Sequence, residues 1–167
     1  MTWPHDDRAR LEKFYGVHEL TADGVPTTAW ENTHLTLIQT PYPMRLAWQP
    51  ETVVHRIRCH DRVADSLTRI LRAILTHYGS PEAVTAARMD LFGGCYQYRR
   101  IGGSAKLSTH AWGAGIDLDP DRNPRYHPWD PIHGVPEAVR DAFAVEGWIW
   151  GGTFHTPDPM HFQAAHE

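Results

Sequence analysis

Cysteine is scarce. Two in 167 residues are too few for a disulfide scaffold, and Cys59 and Cys95 belong to no CxxC pair, so a cystine-stapled fold is not expected. Both read as reduced, structural side chains. The chain also lacks any Lys/Arg block. Its 16 basic and 20 acidic residues give a formal net charge of -4 and a pI near 6.3, which offers no electrostatic argument for a nucleic-acid partner. No stretch reaches the roughly 18 apolar residues needed to span a bilayer. The start, MTWPHDDRARLEKF, has no basic segment followed by an apolar one, so neither membrane insertion nor a conventional export signal is expected.

Turn formers, by contrast, are plentiful. With 13 Gly, 13 Pro and 41% hydrophobic residues, the chain can form a core but needs many irregular connections, which points to an α+β fold rather than a helical bundle. The length fits a single domain, 1–167. Residues 1–50, broken by Pro4, Pro26, Pro41, Pro43 and Pro50, read as a loosely organised lead-in with a short strand or two, one of them at LTLIQT. From Asp61 to Tyr78 the residues Val63, Leu67, Ile70, Leu71, Ile74 and Leu75 recur at helical spacing, with Gly79 and Pro81 as the stop. Residues 82–107 are turn-rich, and CYQYRRI reads as strand or extended loop. A strand follows over 113–119, then a proline-broken loop, a helix over about 136–146, and short closing strands at WIWGG and MHFQ.

Twelve histidines prove nothing by number; placement matters more. In LSTHAWGAGIDLD, His110 and Asp117 stand seven positions apart. On a straight strand their α-carbons would lie roughly 23 Å apart, and on a helix about 10 Å. They can share an ion only if the chain folds back between them, which Gly113 and Gly115 permit. In the second cluster, DPMHF, Pro159 disfavours the helical region for Asp158, so Asp158 and His161 should sit on a turn entering a strand. Two histidines and one carboxylate, with no sulfur, are the ligand set of a catalytic zinc centre that keeps a position open. Polar turn residues are the competing reading of the same pattern.

Ser108-Thr-His110-Ala-Trp-Gly113-Ala-Gly115-Ile-Asp117 resembles the SxHxxGxAxD signature of the M15 metallopeptidases, the D-alanyl-D-alanine and L-alanyl-D-glutamate peptidases of the hedgehog/D-Ala-D-Ala peptidase fold. DPMHF is similar to their closing motif, and EGWIWGG to the aromatic and glycine run before it in phage-type members. The resemblance covers roughly 90–163. Gly115 departs from it, standing where Ala is usual, a difference of one methyl.

This resemblance implies a small central antiparallel sheet carrying the zinc site, flanked by helices. It also implies that His110, Asp117 and His161 bind Zn2+, that Asp158 is the general base, and that Arg99, rather than Arg100, polarises the scissile carbonyl. Asp119 is the rival ligand to Asp117, against a solvated or calcium-like surface role. His155 is the rival to His161, against a plain loop histidine. Ser108 is expected to order the ligand loop, and Trp150, with Trp112 and Trp148, either walls a cleft or packs the core.

The implied substrate is the peptidoglycan stem peptide, cut by a monomer. Asp at 158, where carboxypeptidases of the family usually have Glu, tilts the expectation to an L-alanyl-D-glutamate endopeptidase of endolysin type, reaching the wall through a phage holin or in a virion. A D-alanyl-D-alanine carboxypeptidase is the alternative. A zinc-containing, non-catalytic wall-binding module is the alternative of another class.

Overall fold

The computed structural model describes residues 2–167. Five helices, α1 (Arg8–Tyr15), α2 (Thr28–His34), α3 (Asp61–Tyr78), α4 (Pro81–Ala86) and α5 (Glu137–Val145), flank one sheet. Its strands are β1 (Leu35–Leu46), β2 (Gln49–His60), β3 (Leu91–Gly94), β4 (Gly115–Leu118), β5 (Ile149–Trp150) and β6 (His161–Gln163), in the spatial order β2-β1-β3-β4-β6-β5. The α+β expectation holds. The sheet is not wholly antiparallel, because β1 and β3 run parallel through Arg45–Leu91 and Leu46–Phe92.

The predicted helix over 61–78 is α3. Its buried stripe of Val63, Leu67, Ile70, Leu71 and Ile74 faces the core. The His60 side chain accepts the Arg62 N–H at one end, and Gly79 ends the helix in the left-handed region at φ 82°. No helix among the described residues is long and apolar enough to cross a membrane.

Residues 1–50 are more ordered than the proline pattern suggests. They hold α1, α2 and the twelve-residue β1, and they bury Trp3, Leu11, Tyr15, Trp30, Tyr42 and Met44 in the same core as α3 and the sheet. In β1, Ile38, Thr40, Tyr42 and Met44 point inward. Pro41 and Pro43 are tolerated because the β1–β2 register shifts between Gln39 and Met44, so the ladder makes no demand on their missing N–H groups. CYQYRRI forms no strand; it runs as an extended loop that ends in the isolated Arg100–Leu107 bridge.

Both free cysteines are buried. Burial pushes the Cys59 thiol up to about 12 and the Cys95 thiol well above its ordinary value, which removes them as nucleophiles.

Candidate metal centre and cleft

Three separate pieces of chain converge on one point. His110 lies in the 3₁₀ turn Thr109–Trp112, which Ser108 opens: its Oγ accepts the His110 N–H at 3.3 Å. The reversal predicted between His110 and Asp117 occurs at Gly113. This residue sits in the left-handed region at φ 68°, and a Cβ there would lie 2.8 Å from the His60 backbone N. The chain then enters β4, where Asp117 is directly opposite His161 of β6 in the antiparallel register. Cross-strand pairing thus puts the carboxylate and the second imidazole face to face.

The distances are short and mutual. His110 Nε2 lies 3.2 Å from Asp117 Oδ1 and 3.1 Å from His161 Nδ1, and His161 Nδ1 lies 2.9 Å from the same Oδ1. All three residues are buried, and their donor atoms form a group able to hold a metal ion. Tetrahedral coordination at about 2.0–2.1 Å per ligand separates donor atoms by about 3.3 Å, close to the observed triangle. The outer nitrogens are also committed. His110 Nδ1 donates to Cys95 O at 2.8 Å, and His161 Nε2 faces Gln163 Oε1 at 3.2 Å and Thr109 Oγ1 at 3.4 Å. Protons on those nitrogens leave the lone pairs of His110 Nε2 and His161 Nδ1 for a cation. Donor set, spacing and tautomers fit a divalent metal.

The three side chains are electrostatically coupled. Burial opposes ionisation of Asp117, yet the two imidazoles hold its pKa well below the usual carboxylate range. Burial likewise opposes protonation of His161, and the Asp117 carboxylate outweighs it, raising the pKa.

Beside the triad lies a cavity of about 260 Å3 whose lining includes Arg99, Arg125, Ser108, Asp158 and His161. Asp158 sits on the turn before β6, where its carbonyl accepts the His161 N–H at 3.0 Å. Its Oδ1 is buried with no protein partner, and burial raises its pKa, with Asp117 adding to the effect and His161 opposing it. Arg99 reaches the cavity with Nη2 3.9 Å from Asp117 Oδ2, whereas Arg100 turns away and donates to Ala105 O.

Other candidates fall elsewhere. Asp119 is neither a ligand nor a solvated surface group: it is 1% exposed, adopts φ 44°, and takes a forked ion pair from Arg88 with Nη2–Oδ1 at 2.6 Å. His155 lines the cavity but is exposed and outside the metal group. Trp112 and Trp148 are core residues. Trp150 does not line the cavity either; it braces the turn from behind, with Nε1 donating to Pro159 O at 2.8 Å and the Arg140 guanidinium over its ring.

Sequence reading missed Gln163, Thr109 and Arg125. Gln163 was within reach, since the i, i+2 alternation of a strand puts it on the same side as His161. Nothing marked Arg125 in a loop without periodicity.

No curated protein and no solved structure matches the chain. Residues 102–164 match the family model described as D-alanyl-D-alanine carboxypeptidase, of peptidase family M15. That span includes His110, Asp117, Asp158 and His161, so the segment that builds the site is similar to the M15 peptidases.

Proposed function

We propose that the protein is a zinc-dependent peptidoglycan peptidase that hydrolyses a stem-peptide bond, acting as an L-alanyl-D-glutamate endopeptidase of endolysin type. One observation carries this reading: a buried His110–Asp117–His161 triangle opens onto a cavity beside a carboxylate, Asp158, that keeps an unpartnered oxygen. Zinc held by the triangle would supply the Lewis acidity that polarises a carbonyl and makes water acidic enough to lose a proton near neutral pH.

The chain's own residues account for the rest. Asp158 takes a proton from the attacking water and returns it to the departing nitrogen, so the water's oxygen ends on the acyl carbon and the C–N bond breaks. Arg99 balances the negative charge that grows on the carbonyl oxygen. The Cys95 carbonyl and Gln163 fix the two imidazoles, and Ser108 orders the turn that carries His110 by accepting its backbone N–H, which spares reorganisation during the reaction.

The preference for the L-alanyl-D-glutamate bond rests on Asp, rather than Glu, at position 158. The family description favours a D-alanyl-D-alanine carboxypeptidase as the second reading. Digestion of purified peptidoglycan with zinc-loaded protein, followed by mass spectrometry of soluble products, tests both: new D-glutamyl amino termini indicate the endopeptidase, and free D-alanine the carboxypeptidase. Wall binding without cleavage, unchanged by a chelator, overturns both in favour of a binding module. The same reading has the protein acting as a monomer, delivered to the wall through a phage holin or in a virion.

A further inference from the structure

Asp158 is not the only orphan in the cavity wall. Arg125 Nε is also buried without a protein partner. It lies 3.6 Å from Asp158 Oδ2, beyond a hydrogen bond, while its guanidinium carbon stacks 4.7 Å from the Tyr126 ring centroid. The backbone beside it is held hard. Tyr126 adopts φ 70°, unfavourable for a bulky side chain, and its N–H donates to Pro157 O at 2.8 Å, tying this loop to the turn that carries Asp158. A guanidinium Nε buried beside a carboxylate, yet not hydrogen-bonded to it, is donor capacity that the fold itself leaves unused.

We propose that Arg125 binds the α-carboxylate of the residue that supplies the leaving amine. The inference rests on the peptidase reading above. An α-carboxylate oxygen lies about 3 Å from the nitrogen of its own residue, as bond lengths dictate. The nitrogen that receives the proton from Asp158 must be within hydrogen-bond reach of that carboxylate. The anchor for the substrate's carboxylate must then stand a few ångströms from Asp158, as Arg125 does; Arg99 instead approaches Asp117. Both candidate bonds share this chemistry, since γ-linked D-glutamate and terminal D-alanine each carry a free α-carboxylate on the leaving side.

The test uses zinc-loaded protein and two substrate pairs, L-alanyl-γ-D-glutamyl-L-lysine and acetyl-D-alanyl-D-alanine, each as the free α-acid and the α-carboxamide. The wild type is expected to prefer the acid by about tenfold or more in kcat/KM, mostly through KM. Arg125→Gln should remove most of that preference and Arg125→Lys should restore part of it. The pair that is cut identifies the source of the carboxylate. In parallel, calorimetry on zinc-loaded Asp158→Asn reads binding without turnover, and the acid should again bind more tightly, through Arg125.

Cleavage with no acid preference, or a preference that survives Arg125→Gln, overturns the carboxylate site and spares the peptidase reading. Selective binding through Arg125 without hydrolysis of either pair does the reverse. If Arg125→Gln fails to fold, the acid and amide comparison in the wild type and in Asp158→Asn decides alone, equal values overturning the site.

Discussion

In the proposed reaction Asp158 would serve as base at the expense of the fold. Its half-buried carboxyl has a raised pKa, so the folded state holds that proton more tightly than the unfolded chain does. The residue therefore favours folding below the ordinary Asp pKa, and this contribution is lost as pH rises through the folded value. Asp158→Asn removes an ionised, poorly partnered group at neutral pH. Chelator-treated Asp158→Asn should melt higher than chelator-treated wild type at pH 7, with the difference closing toward pH 3. Zinc-loaded Asp158→Asn should keep its metal and lose about 10²–10⁴ in kcat. Loss of zinc from this variant would make Asp158 a ligand instead of the base. Gln163 acts at one remove: its Nε2 donates to Ala165 O at 3.3 Å, which turns Oε1 toward His161 Nε2. Gln163→Leu, of similar volume, should weaken zinc affinity by about 10–100-fold with the fold intact. Competition with a calibrated chelator measures this, and unchanged affinity would show that Thr109 alone orients the ring.

At the scale of elements, the site is a three-way junction of the 3₁₀ turn, β4 and β6, and it leaves little room. A Cβ on Gly115 would fall 2.8 Å from Thr109 Oγ1 and 2.9 Å from His161 Cε1. The methyl by which Gly115 differs from the family's usual Ala has no space as these elements pack here. Gly115→Ala is expected to cost about 1–3 kcal/mol in urea unfolding and to weaken zinc binding through the displaced His161 ring. Wild-type stability and affinity would show that the ring yields freely. Elements whose periodicity comes from burial on one side, such as α3, and residues whose spacing is local, such as His110 and Asp117, were legible in the sequence. β2 and the second half of β1 were not. Two prolines mask β1, and a register shift that tolerates them exists only once its partner strand is in place. Asp119 was misread for a similar reason: its forked ion pair comes from Arg88, 31 positions away, a separation that no local pattern encodes.

At the scale of the whole molecule, the first fifty residues brace the metal centre. Tyr15 OH donates to Ala164 O at 2.6 Å, Trp112 Nε1 donates to Gly16 O at 2.9 Å, and His18 Nε2 lies 2.8 Å from Ala111 O. Both ligand-bearing segments are thus tied to α1 and the chain just after it, and buried residues from Trp3 to Ala165 form one cluster. Residues flanking His110, Asp117 and His161 are packed into that cluster, so zinc held by the three, as proposed, would be coupled to folding: an ion that binds only the native state stabilises it by about 2.7 kcal/mol at a free concentration 100 times its Kd. Removing zinc with a chelator should lower the denaturation midpoint of the entire molecule, with tryptophan fluorescence and far-UV circular dichroism still changing together. Trp3, Trp30, Trp112 and Trp148 are all in the cluster, so the fluorescence reports on both the N-terminal brace and the ligand loop. If the chelator shifted the fluorescence transition alone, residues 1–50 and the metal-bearing segment would unfold separately. The hydrogen bonds from Tyr15, His18 and Trp112 would then join two units that stand independently, and truncating the brace would leave zinc affinity untouched.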